Sequence, residues 1–401
     1  MWFTSTVVFS ALSLLTAAAP VAETKPRIDY DAIVVGGGPA GLGALSALAR
    51  VRRNVLLVDS GVYRNGETRH MHDVLGFDGV TPAYYRWAAR QQISHYGTVT
   101  MVNGTVTDIT PEQDNSYFTV KGKYDGDHEI TYTARKIVLA TGVKDILPNT
   151  PGLQENFANG IYWCPWCDGH EHADQQLGLL GKLSTVPGTV REIISLNKDI
   201  VAFTNGTNTE EAQAETEQKS PQYKEYLKLK NVIIDDRKIT SIERLRNGSN
   251  PGADPSLPTH PEHDLFQVHF ETGEPVKRNA FLGSFSTDQA SPLPEDVGVA
   301  LDGGKIVVNA SKGLETSMKA IYAVGDANND GATNVPYALF SGKRTGVFLH
   351  VQLERENADK ELSAVNGTAP AKRSIHEEAR DVWERVNGKP GDLLYAGNFD
   401  Q

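Results

Sequence analysis

The chain has 401 residues, of which 39% are apolar and 22% charged, and its formal net charge is −11. A single domain rarely grows to this length, so we expect two hydrophobic cores and two domains. The excess of negative charge disfavours nucleic acid as a partner, because phosphates are bound by basic surfaces. After residue 20 no apolar segment is long enough to cross a bilayer, so a membrane partner is not expected either.

The first 22 residues carry no charged side chain. The apolar stretch 7–15 is followed by a Thr-Ala-Ala-Ala run at 16–19, which is typical of a signal-peptidase site. We predict a signal peptide over residues 1–19 and a secreted, extracellular protein, with a short apolar leader or anchor as the alternative. N-glycosylation sequons support secretion. They begin at Asn103, Asn205, Asn247, Asn309 and Asn366.

A complete strand–helix–strand unit follows the leader. A strand is predicted over Tyr30–Val35, a small-residue helix over 42–50 and a second strand over 54–58. Asp59 ends the second strand, where an acidic side chain can accept a hydrogen bond from an adenosine ribose hydroxyl. This order predicts a dinucleotide-binding unit.

The turn between that strand and helix has the pattern Gly36-x-Gly38-x-x-Gly41. In such turns the first glycine makes the bend, the second lets the backbone approach a pyrophosphate, and the third lets helix and strand pack closely. The pyrophosphate then lies on the N–H groups of the helix. The pattern does not distinguish FAD from NAD, and a purely structural glycine turn is the alternative.

The chain has two cysteines, Cys164 and Cys167. A secreted protein stabilised by disulfides would have more of them, so this spacing indicates catalysis or metal binding. The two thiols can close a disulfide with little backbone movement, and a following helix would lower a thiolate pKa. Two alternatives stay open: a zinc site that includes His170 and His172, and a structural disulfide, which would close too short a loop to stabilise much.

The cysteines lie in a stretch that resembles a second α/β unit. Strands are predicted at Leu177–Leu180 and Ile200–Phe203, and the acidic stretch 205–222 is predicted to be a solvated helix or loop. Beyond Pro292 the small-residue α/β pattern returns, with strands at 305–309 and 320–324 and a helix through Leu349. The second unit is therefore predicted to be inserted into the first.

The predicted domains follow from this insertion. The first domain comprises 28–158 and 282–350, and the inserted domain comprises 159–281. A polar tail at 351–401 contains one amphipathic helix over 375–386, which we expect to pack on its own subunit or across a dimer.

Over most of residues 28–350 the chain resembles the low-molecular-weight thioredoxin reductase family. The resemblance rests on the glycine motif, Asp59, Ala140-Thr141-Gly142, Cys164-x-x-Cys167-Asp168-Gly169 and Ala323-Val324-Gly325-Asp326. It implies an α/β fold, in which a Rossmann-like FAD domain carries an inserted second Rossmann-like domain with the cysteine pair. It also implies FAD as cofactor and a homodimer.

The resemblance assigns the FAD site residue by residue. Asp326 would lie on the ribityl-phosphate part of FAD, and the backbone near Val335 would approach the ring. His72, in the polar loop 64–72, is our candidate for a group near the isoalloxazine; a solvated loop histidine is the alternative. The full predicted set is Gly36, Gly38, Pro39, Ala40, Gly41, Asp59, Ser60, Arg64, Asn65, His72, Val106, Ala140, Gly142, Asp326 and Val335.

The resemblance also gives roles to the thiol pair. Cys167 would face the flavin, Cys164 would exchange with the substrate sulfur, and Asp168 would handle protons. These three are the predicted catalytic residues, and no metal is expected.

The resemblance fails at the second nucleotide site, which a reductase needs for NADPH. Leu183 stands where that site needs its second glycine, and we expect its side chain to obstruct a pyrophosphate. Residues 199–218 contain no Lys or Arg and several glutamates, where a 2′-phosphate would need cations. In these respects the chain resembles fungal thioredoxin-reductase-like thiol oxidases, which include secreted sulfhydryl oxidases and the dithiol oxidases of epipolythiodioxopiperazine toxin pathways.

The expected function is therefore FAD-dependent oxidation of a small thiol, such as glutathione or a dithiol. Substrate thiolate would open the Cys164–Cys167 disulfide, Cys167 would reduce FAD, and O2 would reoxidise the flavin and leave as hydrogen peroxide. Two alternatives stay open: an NADPH-dependent reductase of the thioredoxin reductase type, and a secreted flavin-binding protein without catalytic activity.

Overall fold

The computed structural model describes residues 27–124, 128–250, 252, 257–331 and 333–366. The predicted signal peptide and the predicted tail helix at 375–386 lie outside these ranges. Within them, the sequon asparagines at positions 103, 205, 247 and 309 are exposed. No helix in these ranges is both long and apolar enough to cross a bilayer.

The chain begins with the predicted strand–helix–strand unit. Strands β1 (Tyr30–Val35) and β2 (Val55–Asp59) are mostly apolar and buried. Pro39 is the first residue of helix α1, where a backbone N–H has no partner within the helix, so proline loses no hydrogen bond there. The elements as far as the second domain are β1 (Tyr30–Val35), α1 (Pro39–Arg50), β2 (Val55–Asp59), α2 (Pro82–Ser94), β3 (Val99–Glu112), β4 (Tyr117–Tyr124), β5 (His128–Leu139) and β6 (Val143–Ile146).

Two long strands each belong to two layers. β3 pairs in parallel with β2 as far as Asn103, and from Gly104 it pairs antiparallel with β4. The first half of β5 pairs antiparallel with β4, whereas Lys136 to Leu139 run parallel with β1. Residues 129–133 and 136–139 are therefore the two halves of one strand, and a buried core fills the space between the layers.

The inserted domain repeats this design on a smaller scale. Its parallel sheet has the order β10-β9-β8-β14-β7, helices cover one face, and the antiparallel sheet β11-β12-β13 covers the other. Its elements are α3 (Leu153–Asn156), β7 (Ile161–Tyr162), α4 (Pro165–Asp168), β8 (Leu177–Leu180), α5 (Val186–Ile193), β9 (Ile200–Phe203), α6 (Glu210–Lys219), α7 (Tyr223–Leu229), β10 (Ile233–Asp235), β11 (Ile239–Arg246), β12 (Leu265–Phe270), β13 (Val276–Arg278) and β14 (Ala280–Gly283).

The last part of the chain returns to the first domain. β20 extends the parallel sheet beside β5, and the final helix packs on α1. The elements are β15 (Ser286–Gln289), α8 (Leu293–Val297), β16 (Leu301–Asp302), β17 (Lys305–Ile306), β18 (Val308–Asn309), β19 (Glu315–Thr316), β20 (Ile321–Ala323) and α9 (Val335–Asn366).

The inserted architecture is as predicted, but two predicted boundaries fall inside elements. β14 crosses the boundary at 281/282, because its four buried residues complete the inserted sheet. Helix α9 crosses the boundary at 350/351 and runs to Asn366. The antiparallel pair β6 and β15 forms the connection between the two domains.

Candidate redox site

The glycine-rich turn has one side packed and one side open. Gly36 has φ +114°, and an added Cβ there would collide with the Ala140 carbonyl oxygen. An added Cβ at Gly41 would collide with the Gly36 carbonyl oxygen. At Gly38, in contrast, no atom of the described residues lies within 4 Å of an added Cβ. This open space, at the N-terminus of the twelve-residue helix α1, fits the pyrophosphate of a dinucleotide.

Asp59 lies beneath this turn and is held by protein groups. Its Oδ2 accepts hydrogen bonds from Tyr63 Oη (2.6 Å) and Arg90 Nη1 (2.9 Å), and its Oδ1 accepts from Gly61 N–H. Burial and the bond to Asp59 raise the pKa of Tyr63 to about 12. Asp59 thus fixes the turn after β2, a role that the sequence did not predict. Arg90 was missed because it lies 31 positions away on α2.

Arg64 joins three parts of the site. Its guanidinium pairs with Asp145 (2.7 Å) on β6 and with Asp326 (2.8 Å), and it lies 5.1 Å from the ring centre of Trp163, next to Cys164. The turn that carries Asp326 packs against the start of α1, since an added Cβ at Gly325 would lie 2.8 Å from the Ala40 Cβ. The predicted residues Arg64 and Asp326 are therefore brought together beside the glycine turn, and Asp145 is an unpredicted partner.

The other predicted cofactor residues differ in how much of each residue a ligand in this region could reach. Val106 has its side chain in the core, so a ligand could reach only its backbone. Val335 begins α9 and packs on the cluster of Met71 and Val74. Positions near the open space are Pro39, Ala40, Ala140 and Gly142, and the loop after β2 carries the exposed Ser60 and the partly exposed Asn65.

The thiol pair forms a disulfide at the start of a short helix. Cys164 and Cys167 are bonded to each other, with their Cα atoms 5.2 Å apart. Helix α4 has four residues and begins between the cysteines, so the dipole expected from a longer following helix is missing. Both cysteines are partly exposed, and Trp166 between them is 67% exposed. The bond leaves neither sulfur for the zinc alternative, and His172 instead stacks on Tyr162.

The surroundings of the Asp168 carboxyl group disfavour its charged form. Burial, together with the charges of Glu262 and Glu171, raises the pKa of Asp168 well above its ordinary value of 3.8. A carboxyl of this kind carries a proton at a higher pH than usual. Asp168 directly follows Cys167 in the chain, and the role that we predict for it, handling protons beside the disulfide, stays a prediction.

A network of buried charges ties the first domain to the inserted domain next to this disulfide. Arg69 donates to both carboxylate oxygens of Asp264 (2.9 and 3.0 Å) and pairs with Glu262. Arg244 also pairs with Asp264, which is 0% exposed. Glu262 and Asp264 gave no signal in the sequence, because Arg69 is almost 200 positions away from them along the chain.

His72 lies at the edge of this network. Its Nε2 is 3.5 Å from Glu171 and its Nδ1 is 3.7 Å from Asp78, and 9% of its side chain is exposed. It is therefore not a solvated loop histidine; it faces the inserted domain. Glu171 is itself buried and accepts a hydrogen bond from the Thr259 hydroxyl.

His172, Glu262 and Asp264 could together hold a metal ion by distance alone, because their donor atoms lie within 4.8 Å of one another. Their donor atoms already have partners, however. Arg69 contacts both carboxylates, and burial lowers the pKa of His172. The negative charges of this cluster are thus already compensated by ion pairs with arginine.

We expect Asp264→Asn to lower the free energy of unfolding by about 3–5 kcal/mol, because it removes the buried anion that Arg69 and Arg244 share and leaves Arg69 with Glu262 alone. Urea unfolding at neutral pH measures this loss. In Asp199→Asn, the control, the carboxylate that is removed is 52% exposed and pairs with Arg278. Its loss should cost at most about 1 kcal/mol. Equal effects of the two variants would contradict the role of the network.

The pH dependence of this stabilisation has a definite sign. Burial acts to raise the pKa of Asp264, but hydrogen bonds from Arg69 and Gly248 and the charges of Arg69 and Arg244 lower it overall. The stabilisation is therefore complete above the ordinary value of 3.8 and is lost as the pH falls through the lower folded value. The difference between Asp264→Asn and the parent protein should shrink in acid.

The carboxyl edge of the inserted sheet differs from the prediction. Leu183 is fully buried and packs with Val186 and Val190, so its side chain points away from this edge and obstructs nothing. A cavity of about 450 Å³ lies there, lined by Gly181, Lys182 and neighbouring residues. The expectation of a steric block was wrong because the chain turns into a short 3-10 helix at Leu183–Thr185, which directs the leucine into the core.

Comparison with known proteins agrees with this geometry. Residues 30–183 match the family described as pyridine nucleotide-disulphide oxidoreductase. A probable thioredoxin reductase of Arthroderma benhamiae is 47% identical over 401 aligned residues, which cover 94% of this chain and 97% of the relative. The chain belongs to the thioredoxin reductase-like family.

More distant members of the family share the architecture. Thioredoxin reductase sirT of Leptosphaeria maculans is 29% identical, with 76% of this chain and 88% of the relative covered. The crystal structure of HlmI superposes with a TM-score of 0.68 at 26% identity, covering 84% of this chain and 96% of HlmI. The protein is accordingly a flavoprotein-like disulfide oxidoreductase, and its predicted fold class is confirmed.

Proposed function

We propose that this protein is an FAD-dependent thiol oxidase, which forms disulfides from small thiols and reduces O2 to hydrogen peroxide. The observation that carries the proposal is the loop after β9, where a reductase would bind the NADPH phosphate. Thr204 Oγ1 and the Asn208 N–H both donate to Asp236 Oδ1 (2.6 and 3.0 Å). Residues 204–218 contain no Lys or Arg. The loop itself thus holds a carboxylate and supplies no cation for a phosphate, and the cation beside it is Lys238, whose side chain lies against Gly206.

FAD as the cofactor is part of this proposal. The open space above Gly38 accommodates a pyrophosphate, and the turn with Asp326 lies beside it. Arg64 pairs with Asp326 of this turn and lies 5.1 Å from the ring centre of Trp163, the neighbour of Cys164, which supports a cofactor close to the thiol pair. The chemistry that bound FAD supplies is two-electron oxidation of the reduced thiol pair, with O2 as the final acceptor.

The chain's own residues carry the thiol exchange. A substrate thiolate attacks the Cys164 sulfur, the bond to Cys167 breaks, and Cys167 leaves as a thiolate. A second substrate thiolate attacks the sulfur of the first, which releases the substrate disulfide and leaves Cys164 reduced. Two substrate thiols have then lost two electrons, and both electrons are stored in the thiol pair. Asp168, with its raised pKa, supplies or accepts the proton beside Cys167.

An NADPH-dependent disulfide reductase is the second candidate. It is favoured by the cavity of about 450 Å³ at the carboxyl edge of the inserted sheet, since open α/β sheets bind ligands at that edge. The relatives named thioredoxin reductase favour it as well.

One experiment separates the two. Oxygen-free yellow enzyme is mixed with dithiothreitol or with NADPH while the flavin absorbance is recorded, and air is then admitted. We expect dithiothreitol to bleach the flavin, air to restore the colour with release of hydrogen peroxide, and NADPH to leave the spectrum unchanged. Rapid bleaching by NADPH would instead identify a reductase.

A further inference from the structure

Two cavities meet at the carboxyl edge of the inserted sheet. The first, of about 450 Å³, lies over the ends of β8 and β9, and the second, of about 290 Å³, lies between the inserted domain and the first domain. They form one cleft, because five residues line both. These residues are Leu180, Gly181, Thr185, Ser284 and Phe285.

The second cavity brings this cleft to one cysteine of the pair. Its walls include Trp163 and Pro165, the two chain neighbours of Cys164. The exposed Trp166, which precedes Cys167, is not part of the wall. Neither cysteine is among the described residues that line the two cavities, so a molecule in the cleft would approach the disulfide along Trp163 and Pro165, on the side of Cys164.

The lining of the first cavity suits an uncharged ligand. Phe203, Ile242 and Phe285 offer apolar surface, and Thr185 and Ser284 offer hydroxyl groups. Among the described residues that line it, Lys182 has the one formal charge. The pKa of Glu215 on α6 is lowered mainly by its hydrogen bond and ion pair with Lys219 and to a smaller degree by Lys182. The second cavity adds Arg64 and Asp145, which pair with each other, and Glu192. A ligand with several carboxylates or phosphates would therefore find little compensation in either cavity.

We propose that this cleft is the substrate site of the protein, and that it binds an uncharged small thiol with an apolar or aromatic body and directs its sulfur to Cys164. The proposal rests on the proposed function only in that the Cys164–Cys167 disulfide exchanges with substrate. According to this proposal, the carboxyl edge of the inserted sheet binds a thiol and not a nucleotide.

The test measures exchange at Cys164 without flavin reduction or oxygen. The Cys167→Ser variant, made in a bacterial host so that Asn205 carries no glycan, is mixed with the capped dipeptide N-acetyl-Cys-Phe-amide joined by a disulfide to thionitrobenzoate. The Cys164 thiolate attacks the peptide sulfur, a new disulfide forms, and coloured thionitrobenzoate leaves with the electron pair. Its absorbance gives the rate.

The cleft is then blocked in this background with Ser284→Trp, at an exposed position shared by both cavities. We expect exchange with the peptide to slow by about tenfold, which corresponds to about 1.4 kcal/mol of lost binding. The rate with the small reagent methyl methanethiosulfonate should not change. Thr185→Met is a second blocking variant in case the first folds poorly, and Ser116→Trp, at an exposed hairpin turn outside both cavities, is the matched control.

Three outcomes would contradict the proposal. The first is an unchanged peptide rate in folded Ser284→Trp and Thr185→Met. The second is an equal loss of rate with the peptide and with methyl methanethiosulfonate, which would mean that Cys164 itself had been disturbed. A glutathione disulfide of thionitrobenzoate should react more slowly than the capped peptide, and the opposite order would contradict the preference for an uncharged substrate. None of these results depends on whether O2 or NADPH serves the flavin.

Discussion

Cys164→Ser and Cys167→Ser should each lower thiol turnover by more than about a thousandfold, because each removes one sulfur of the covalent exchange. The bound cofactor should remain, since the glycine turn at 36–41 belongs to the other domain. Oxygen uptake with dithiothreitol measures the loss, and the flavin spectrum measures cofactor content. Trp166→Phe, which changes the exposed residue between the cysteines and keeps both sulfurs, is the control.

The two variants should differ in the rate at which their remaining cysteine forms a mixed disulfide. These are the two cysteines of the chain, so each variant has one free thiol and any adduct is located by mass alone. Cys167→Ser leaves Cys164 beside the cleft and should rapidly form a mixed disulfide with an activated small thiol. Cys164→Ser should do so slowly. Faster trapping in Cys164→Ser would reverse the assignment of the exchanging cysteine.

Gly38→Val should give a folded protein that is colourless. Gly38 has φ −72° and ψ −178°, a conformation that any residue adopts, and within the part of the chain that the structure describes an added Cβ meets no atom within 4 Å. The valine therefore fits the chain but fills the space that a pyrophosphate would take. Flavin absorbance of the purified protein measures cofactor content, and circular dichroism measures folding.

Two other glycines serve as matched controls for Gly38→Val. Gly97 is exposed, and an added Cβ there also meets no atom of the described ranges within 4 Å, so Gly97→Val should stay yellow. Gly41→Val should unfold, because its Cβ would collide with the Gly36 carbonyl oxygen. A yellow and active Gly38→Val would place the cofactor elsewhere.

The sequence by itself determined the elements whose signal is local. Strands at Tyr30–Val35, Leu177–Leu180 and Ile200–Phe203 were predicted at their observed bounds, because a strand inside a parallel sheet is buried on both faces and reads as one apolar run. The glycine turn and the thiol pair are likewise set by residues a few positions apart. Such features need no knowledge of distant partners.

The tertiary structure decided whatever depends on distant partners. The last helix was expected to end near Leu349 because the following residues are polar. It continues to Asn366, and along this extension Glu356 pairs with Lys136 (2.5 Å) and Arg135 (2.9 Å) of β5. These ion pairs join residues more than 200 positions apart, so the polar stretch alone gave no sign of them.

The same reason explains the differences at the site. Asp59 accepts hydrogen bonds from Tyr63 and Arg90. Asp264 of the inserted domain pairs with Arg69 of the first domain. Both carboxylates are buried, and a buried carboxylate without a partner would lower the stability of the fold. The residue types were visible in the sequence, but their partners were not. Leu183 is the clearest case: its position in the motif was read correctly, and only the packing of its side chain on Val186 and Val190 decided that the edge of the sheet stays open.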